Sequence, residues 1–222
     1  VDHEQSLADI FRDFMRAQSI DEGYRFHSFS LDGQDRDAGA DYLFTDSDRF
    51  SIIEFKYNTN NLISEKKKTR RLTLCKKLPT RTDMTAYHDK CHFITYYNIN
   101  LETIQTNIYR KEVCNKAIFG MGSGLTEDVS DFSGSLNAAD FASNFFSAQG
   151  SHSLSLKEFE TYLAWLLTET SGSSKSTLEL IAFKPNSKQL SIKRLNSISE
   201  AQEWVKDHIE SPPPKPKRNF RP

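Results

Sequence analysis

Residues 40–57 narrow the folds open to this chain more than any other segment. Ala40–Thr45 and Phe50–Tyr57 are rich in aromatic and apolar residues and read as strands, joined by the turn-prone Asp46-Ser47-Asp48-Arg49. A reversal between Ser47 and Asp48 pairs residues whose numbers sum to 95, for a two-residue or a four-residue loop alike. That register sets Asp41 opposite Glu54, whereas an odd-length loop would turn Asp41 to the other face. Along the second strand Glu54 and Lys56 share one face. Two carboxylates opposed across a ladder destabilise it by up to about 1 kcal/mol. A cation removes that penalty, and carboxylate oxygens suit Mg²⁺ or Mn²⁺. A lysine beside such an ion is placed to orient water and to offset charge developing on phosphorus.

The flanking segments predict an α/β arrangement. Residues 3–18 carry Leu7, Ile10, Phe11, Phe14 and Met15 at helical spacing, with Glu4, Asp9 and Asp13 on the polar face. Tyr24–Phe29 alternates like a strand, and Asp32–Gly39 reads as a loop. A helix is expected over Leu62–Lys77, ended by Pro79, and a buried strand over Cys91–Tyr97. Five of the nine glycines fall between Gly120 and Ser155, which predicts a loose, insertion-like segment. Ser155 with Glu158 forms a capping box for a helix burying Phe159, Tyr162, Leu163 and Leu166. Thr177–Phe183 and Gln189–Leu195 suggest a hairpin around Pro185-Asn186-Ser187. Ser199 with Gln202 is expected to cap a last helix carrying Trp204, Val205 and Ile209. The Pro/Lys/Arg tail over 212–222 reads as disordered.

Net charge is -1, but its distribution is uneven. Residues 1–61 hold 13 acids against 6 bases, and residues 62–90 hold 3 against 9. Lys66, Lys67, Lys68, Arg70, Arg71, Lys76 and Lys77 lie within twelve residues and form a candidate phosphate-binding surface of low base specificity. No apolar run approaches the roughly 20 residues of a membrane helix, so no membrane association is expected. No cationic start with an apolar run opens the chain, so no secretory signal is expected. Three cysteines, Cys75, Cys91 and Cys114, read as reduced thiols of a cytoplasmic protein.

Asp41 followed by Glu54-x-Lys56 on consecutive strands after a helix resembles the PD-(D/E)XK nuclease superfamily, and the order αβββαβ over about residues 3–97 is similar to its restriction-endonuclease-like core. The motif's proline is missing, since Gly39-Ala40 precedes Asp41. The resemblance implies Asp41, Glu54 and Lys56 as catalytic residues. It implies Asp41, Glu54 and the Phe55 carbonyl as ligands of Mg²⁺ or Mn²⁺, with Glu4 as the candidate from the first helix. Lys66, Lys67, Lys68, Arg70 and Arg71 would hold nucleic acid, because in the family the next helix packs beside the site. The implied function is hydrolysis of phosphodiester bonds in DNA, with RNA as a second substrate, in settings such as restriction or phage defence. Residues 1–110 would form the nuclease core. Residues 111–211 would form a mostly helical extension with a β-hairpin, suited to self-association or partner docking. The alternative is a non-catalytic interaction module on a degenerate nuclease-like or other α/β fold.

Other candidates carry less. Glu65-Lys66-Lys67 is a second Glu-x-Lys match, set on an expected helix where that chemistry has no geometry. Cys75, His88, Cys91, His92 and Cys114 lack a Cys-x-x-Cys knuckle for zinc. Asp32, Asp35 and Asp37 do not follow calcium-loop spacing and are expected at the site entrance or in solvent, with one available as an extra ligand. Gly120–Gly124 lacks the lysine of a phosphate loop.

Overall fold

The computed structural model describes residues 3–147, 150–170, 178–183 and 191–210. Helix α1 (Glu4–Glu22) leads through β1 (His27–Ser30) and the short α2 (Asp35–Ala38) to β2 (Tyr42–Thr45) and β3 (Arg49–Asn58). A 3₁₀ helix (Thr59–Lys67), α3 (Thr69–Lys77), a 3₁₀ turn (Leu78–Thr80) and α4 (Thr82–Cys91) connect β3 to β4 (His92–Asn98). Then come β5 (Thr103–Ile108), α5 (Tyr109–Val113), α6 (Lys116–Phe119), a 3₁₀ turn (Met121–Ser123), β6 (Leu136–Asn137), α7 (Ala138–Phe146), β7 (Leu154–Ser155) and α8 (Leu156–Trp165), the last continued by a π-helical turn (Leu166–Thr170). The hairpin β8 (Leu180–Phe183) and β9 (Ile192–Leu195) and helix α9 (Ile198–His208) complete the described chain.

The fold is α/β with a mixed sheet in the order β1-β2-β3-β4-β5-β6, to which β7 adds against the start of β3. Strands β1, β2 and β3 form an antiparallel meander, and β4 returns parallel to β3 after the helical crossover. The β2–β3 pairs are Tyr42↔Ile53, Leu43↔Ile52, Phe44↔Ser51 and Thr45↔Phe50, so the register is the one the turn predicts. The turn is closed by the Asp46 carboxylate, which accepts from the backbone of Asp48 and Arg49 at 3.0 and 2.8 Å. Ser47 takes the left-handed conformation there, with φ of 92°.

Alternation along the strands builds a core on each face of the sheet. Tyr42, Phe44, Ile53, Phe55 and Phe93 meet Leu7, Phe11 and Met15 of α1 and Phe141, Phe145 and Phe146 of α7. Leu43, Phe50, Ile52, Ile94 and Tyr96 lie on the other face with Phe159, Tyr162 and Leu163 of α8 and Trp204 and Val205 of α9. Each of these large side chains contributes roughly 1.5–3 kcal/mol by leaving water, enough to anchor β3 rigidly between the layers. Helix α1 runs four residues beyond the expected span and ends where Gly23 adopts φ of 79° and donates to the Ser19 carbonyl. Ile10, expected in the core, is instead 61% exposed.

Several expectations are corrected. The single helix over Leu62–Lys77 is two helices, broken at Lys68, whose φ of -96° and ψ of 92° are extended. The break lets Glu65 on one side and Arg71 on the other face the same buried cluster, which one uninterrupted helix would not allow six residues apart. The segment 120–155 contains α7, capped where the Asn137 side chain accepts from Asp140 N, because its three phenylalanines bury against α1. The last helix is capped by Ser197, not Ser199; Ser199 instead donates to Glu160. Cys75 and Cys114 are joined as a disulfide, their Cα atoms 5.1 Å apart, while Cys91 is free and buried. Thirty-nine residues separate the pair in sequence, so only the packing of α3 beside the end of α5 brings them together. The capping box at Ser155 and Glu158 is present. The hairpin tip at Pro185-Asn186-Ser187 and the tail at 212–222 lie outside the described residues. Among the described residues no helix is long and apolar enough to cross a membrane.

Candidate active site

The site lies where β3 runs past the beginning of β2. Beyond Tyr42↔Ile53 the ladder ends, Asp41 N donates to Ile53 O at 2.9 Å, and Phe55 loses its backbone partner on that side. Both of its edge groups are taken by the sequence-predicted residues. The Asp41 carboxylate accepts from Phe55 N at 2.6 Å, and Lys56 Nζ donates to Phe55 O at 2.6 Å. Lys56 Nζ also donates to Glu54 Oε1 at 2.6 Å and reaches Glu4 Oε1 of α1 at 3.4 Å. The fold therefore gathers Asp41, Glu54, the Phe55 carbonyl, Lys56 and Glu4 around one point.

Glu54 and Lys56 share the face opposite α1 and are almost wholly buried. Burial alone would raise the Glu54 carboxyl, but Lys56, Lys68 and Arg71 outweigh it and hold it below the ordinary carboxylate range. Burial would lower Lys56, yet Glu54, Glu65, Asp41 and Glu4 keep it firmly protonated. Asp41 behaves differently: burial, then the neighbouring Glu54 charge, push it up to about 8. An acid in that condition is stabilised by a proton or by a cation.

The basic run does not present one phosphate-binding face. Lys66, Lys67 and Lys76 are exposed. Lys68 turns inward, its Nζ 2.5 Å from Glu54 Oε1 and 3.0 Å from Glu65 Oε1. Arg71 is buried, its Nε 3.3 Å from Glu65 Oε2 and its Nη2 donating to Asp35 O at 3.0 Å. Arg70 pairs with Asp37, and Lys77 with Glu169. The acids missing from the local sequence come from other elements.

Glu65 is the residue that sequence reasoning set aside. It is fully buried, and its Oε2 accepts from Tyr109 Oη at 2.6 Å as well as from Arg71. The available signal was its isolation: it is the one acid between Leu62 and Lys77. Asp32 and Asp35 stand at the entrance, lining with Glu4, Asp41, Gln5 and Tyr42 a cleft of about 430 Å³. Its acids are Glu4, Asp32, Asp35 and Asp41, and among the described residues no cationic side chain lines it, so a phosphodiester meets repulsion there unless a cation neutralises the cleft.

Behind this cluster a chain of hydrogen bonds fixes the loop before Asp41. Arg110 N donates to His88 Nε2 at 3.2 Å, so His88 Nδ1 carries the proton toward Tyr162 Oη at 2.7 Å. Tyr162 Oη then donates to His92 Nδ1 at 2.8 Å, and His92 Nε2 donates to Gly39 O at 2.9 Å. Burial lowers both histidines, in keeping with neutral rings. Gly39 has φ of 81°, and a Cβ there would lie 3.0 Å from His92 and 3.1 Å from Arg71.

The donor set is oxygen throughout, which suits Mg²⁺ or Mn²⁺ rather than zinc. Glu54 Oε2 has no hydrogen-bond partner among the described residues, leaving an acceptor for a ligand. Among the described residues no group of three or more His, Cys, Asp or Glu is already spaced as a metal cage. Comparisons with protein-family models, curated proteins and solved structures each find no match.

A second buried acid lies outside the site. Glu112 Oε1 accepts from Tyr96 Oη at 2.9 Å and Asn107 Nδ2 at 2.7 Å, while Oε2 has no hydrogen-bond partner among the described residues. Burial pushes its carboxyl up to about 7. The folded state thus binds a proton that the unfolded chain releases near the ordinary glutamate value of 4.5, so this contribution is full below 4.5 and is lost as pH rises through 7. Glu112→Gln is expected to gain on the order of 2 kcal/mol relative to the wild type between pH 5 and pH 8, read by urea unfolding at both. An unchanged difference would place the titration elsewhere.

Proposed function

We propose that the protein is a metal-dependent nuclease that hydrolyses phosphodiester bonds in DNA, on a core of the restriction-endonuclease-like type. The observation that carries this reading is the convergence of Asp41, Glu54, the Phe55 carbonyl, Lys56 and Glu4 beside a cleft whose ionisable lining residues, among those described, are all acidic. Asp41, Glu54, the Phe55 carbonyl and Glu4 would hold Mg²⁺ or Mn²⁺. Bound there, the ion supplies Lewis-acid polarisation of a phosphate oxygen and acidifies water. Asp41, just before β2, and Glu54, on β3, orient the reacting groups, and exposed Lys66 and Lys67 contact the phosphate backbone with little base preference. Restriction or phage defence is the setting that the family resemblance suggests.

The test is incubation of the full chain with plasmid, single-stranded DNA and RNA, in Mg²⁺, Mn²⁺ or EDTA. Cleavage of DNA is expected with either ion and not with EDTA, and Asp41→Asn is expected to lower the rate on the order of 10²–10³-fold, comparable to losing a main transition-state stabiliser. Equal cleavage by wild type and variant would place the activity elsewhere. No cleavage of any substrate by folded wild type would favour the non-catalytic interaction module.

A further inference from the structure

Two lysines contact the same oxygen of Glu54, and their surroundings divide their roles. An ammonium has three N–H bonds to donate. Those of Lys56 face Glu54 Oε1 and Phe55 O at 2.6 Å each and Glu4 Oε1 at 3.4 Å, with Glu65 Oε1 also 3.4 Å away. The side chain is 3% exposed, so the ammonium is saturated and sealed from the cleft. Among the described residues the Lys68 ammonium contacts Glu54 Oε1 and Glu65 Oε1, and its side chain is 27% exposed. Lys56 therefore already occupies the centre of the oxygens that a divalent ion would need. A divalent ion and an ammonium at a given distance repel twice as strongly as the two ammoniums of Lys56 and Lys68, which already share Glu54 Oε1, so the ion is favoured to replace Lys56 rather than to join it.

We propose that the Lys56 ammonium is the resident counter-cation of this cluster: it holds Glu4, Glu54 and the Phe55 carbonyl together in the ion-free protein, and a divalent ion enters by displacing it. The inference rests on the cation-site reading above and adds an opposing role for Lys56, as the competitor of the ion. Once displaced, the ammonium is freed toward the cleft, whereas Lys68 keeps Glu54 neutralised throughout.

The test measures ion binding directly. Mn²⁺ is titrated into the full-length wild type, Lys56→Met and Asp41→Asn, with free ion followed by electron paramagnetic resonance. In parallel, wild-type lysines are reductively methylated with and without Mn²⁺ and mapped by mass spectrometry. Lys56→Met is expected to bind Mn²⁺ at least about tenfold more tightly than wild type, and labelling of wild-type Lys56 is expected to rise severalfold with the ion while that of exposed Lys66 stays constant. Should Lys56→Met fail to fold, the labelling decides alone. If wild type binds Mn²⁺ and Asp41→Asn does not, yet Lys56 labelling is unchanged and Lys56→Met binds no more tightly, the counter-cation role is overturned while the ion site stands. If folded wild type binds no Mn²⁺ at millimolar concentration, the ion site itself is overturned, and this inference with it.

Discussion

Replacing Glu65 with leucine is expected to lower the stability of the protein by about 3–5 kcal/mol, the range for removing one partner of a buried ion pair. The side chains are of similar size, so the loss is electrostatic more than volumetric. Glu65 is fully buried, with Lys68 Nζ 3.0 Å and Lys56 Nζ 3.4 Å from Oε1, and Arg71 Nε and Tyr109 Oη on Oε2. Without it, the buried Arg71 guanidinium keeps the Asp35 carbonyl and a 3.8 Å approach to Glu54 Oε2, and the Tyr109 hydroxyl loses its acceptor. Neither group can turn to water without opening the 3₁₀ helix from α3. Tyr109→Phe removes one hydrogen bond and should cost only about 1 kcal/mol. Urea unfolding of the two variants against wild type checks both figures. Near-equal midpoints for wild type and Glu65→Leu would mean that the cluster relaxes to admit water, contrary to its burial.

Opening the Cys75–Cys114 bridge is expected to cost about 4 kcal/mol, from the chain entropy returned to an unfolded loop of this length. Cys114→Ser should show the loss under all conditions, and wild type should show it only after reduction. Unfolding with and without dithiothreitol measures it, and identical midpoints would show that the bridge does not constrain the unfolded chain. The location gives the bond a consequence for the site. Cys75 lies one helical turn after Arg71 on α3, and Cys114 follows α5, whose first residue Tyr109 holds Glu65. The bridge thus fastens together the two elements that grip Glu65 Oε2. It also lines a cleft of about 390 Å³ with Lys76 and Arg110. Cytosolic thiols would keep such a pair open and an oxidising compartment would keep it closed.

What was legible in the sequence was local. Period-two alternation and the turn at Asp46–Arg49 set the β2–β3 register, because every residue of a hairpin lies close in chain to its partner and the turn geometry leaves few choices. That register put Glu54 and Lys56 on one face and brought Asp41 to the end of β3. The capping box at Ser155 was readable for the same reason, its partners being three residues apart. The second half of the site was not local. Glu65, Lys68, Arg71 and Tyr109 come together because the chain breaks at Lys68, which no nearby glycine or proline announces; the break follows from burying Glu65 and Arg71 against Glu54. The run of seven cations resembled a solvent-facing surface because three of the acids that pair with it, Glu54 on β3, Asp37 on α2 and Glu169 after α8, are distant in sequence.

A hairpin that gathers an acid, an acid and a lysine follows from the order of residues alone, since strand geometry dictates which side chains share a face. The state of those groups depends on packing: which lysine is sealed, which cations pair with buried carboxylates, and which cysteines meet. Ion pairing and disulfide formation depend on distances of a few ångströms between residues tens of positions apart, and those distances exist only once both faces of the sheet are packed.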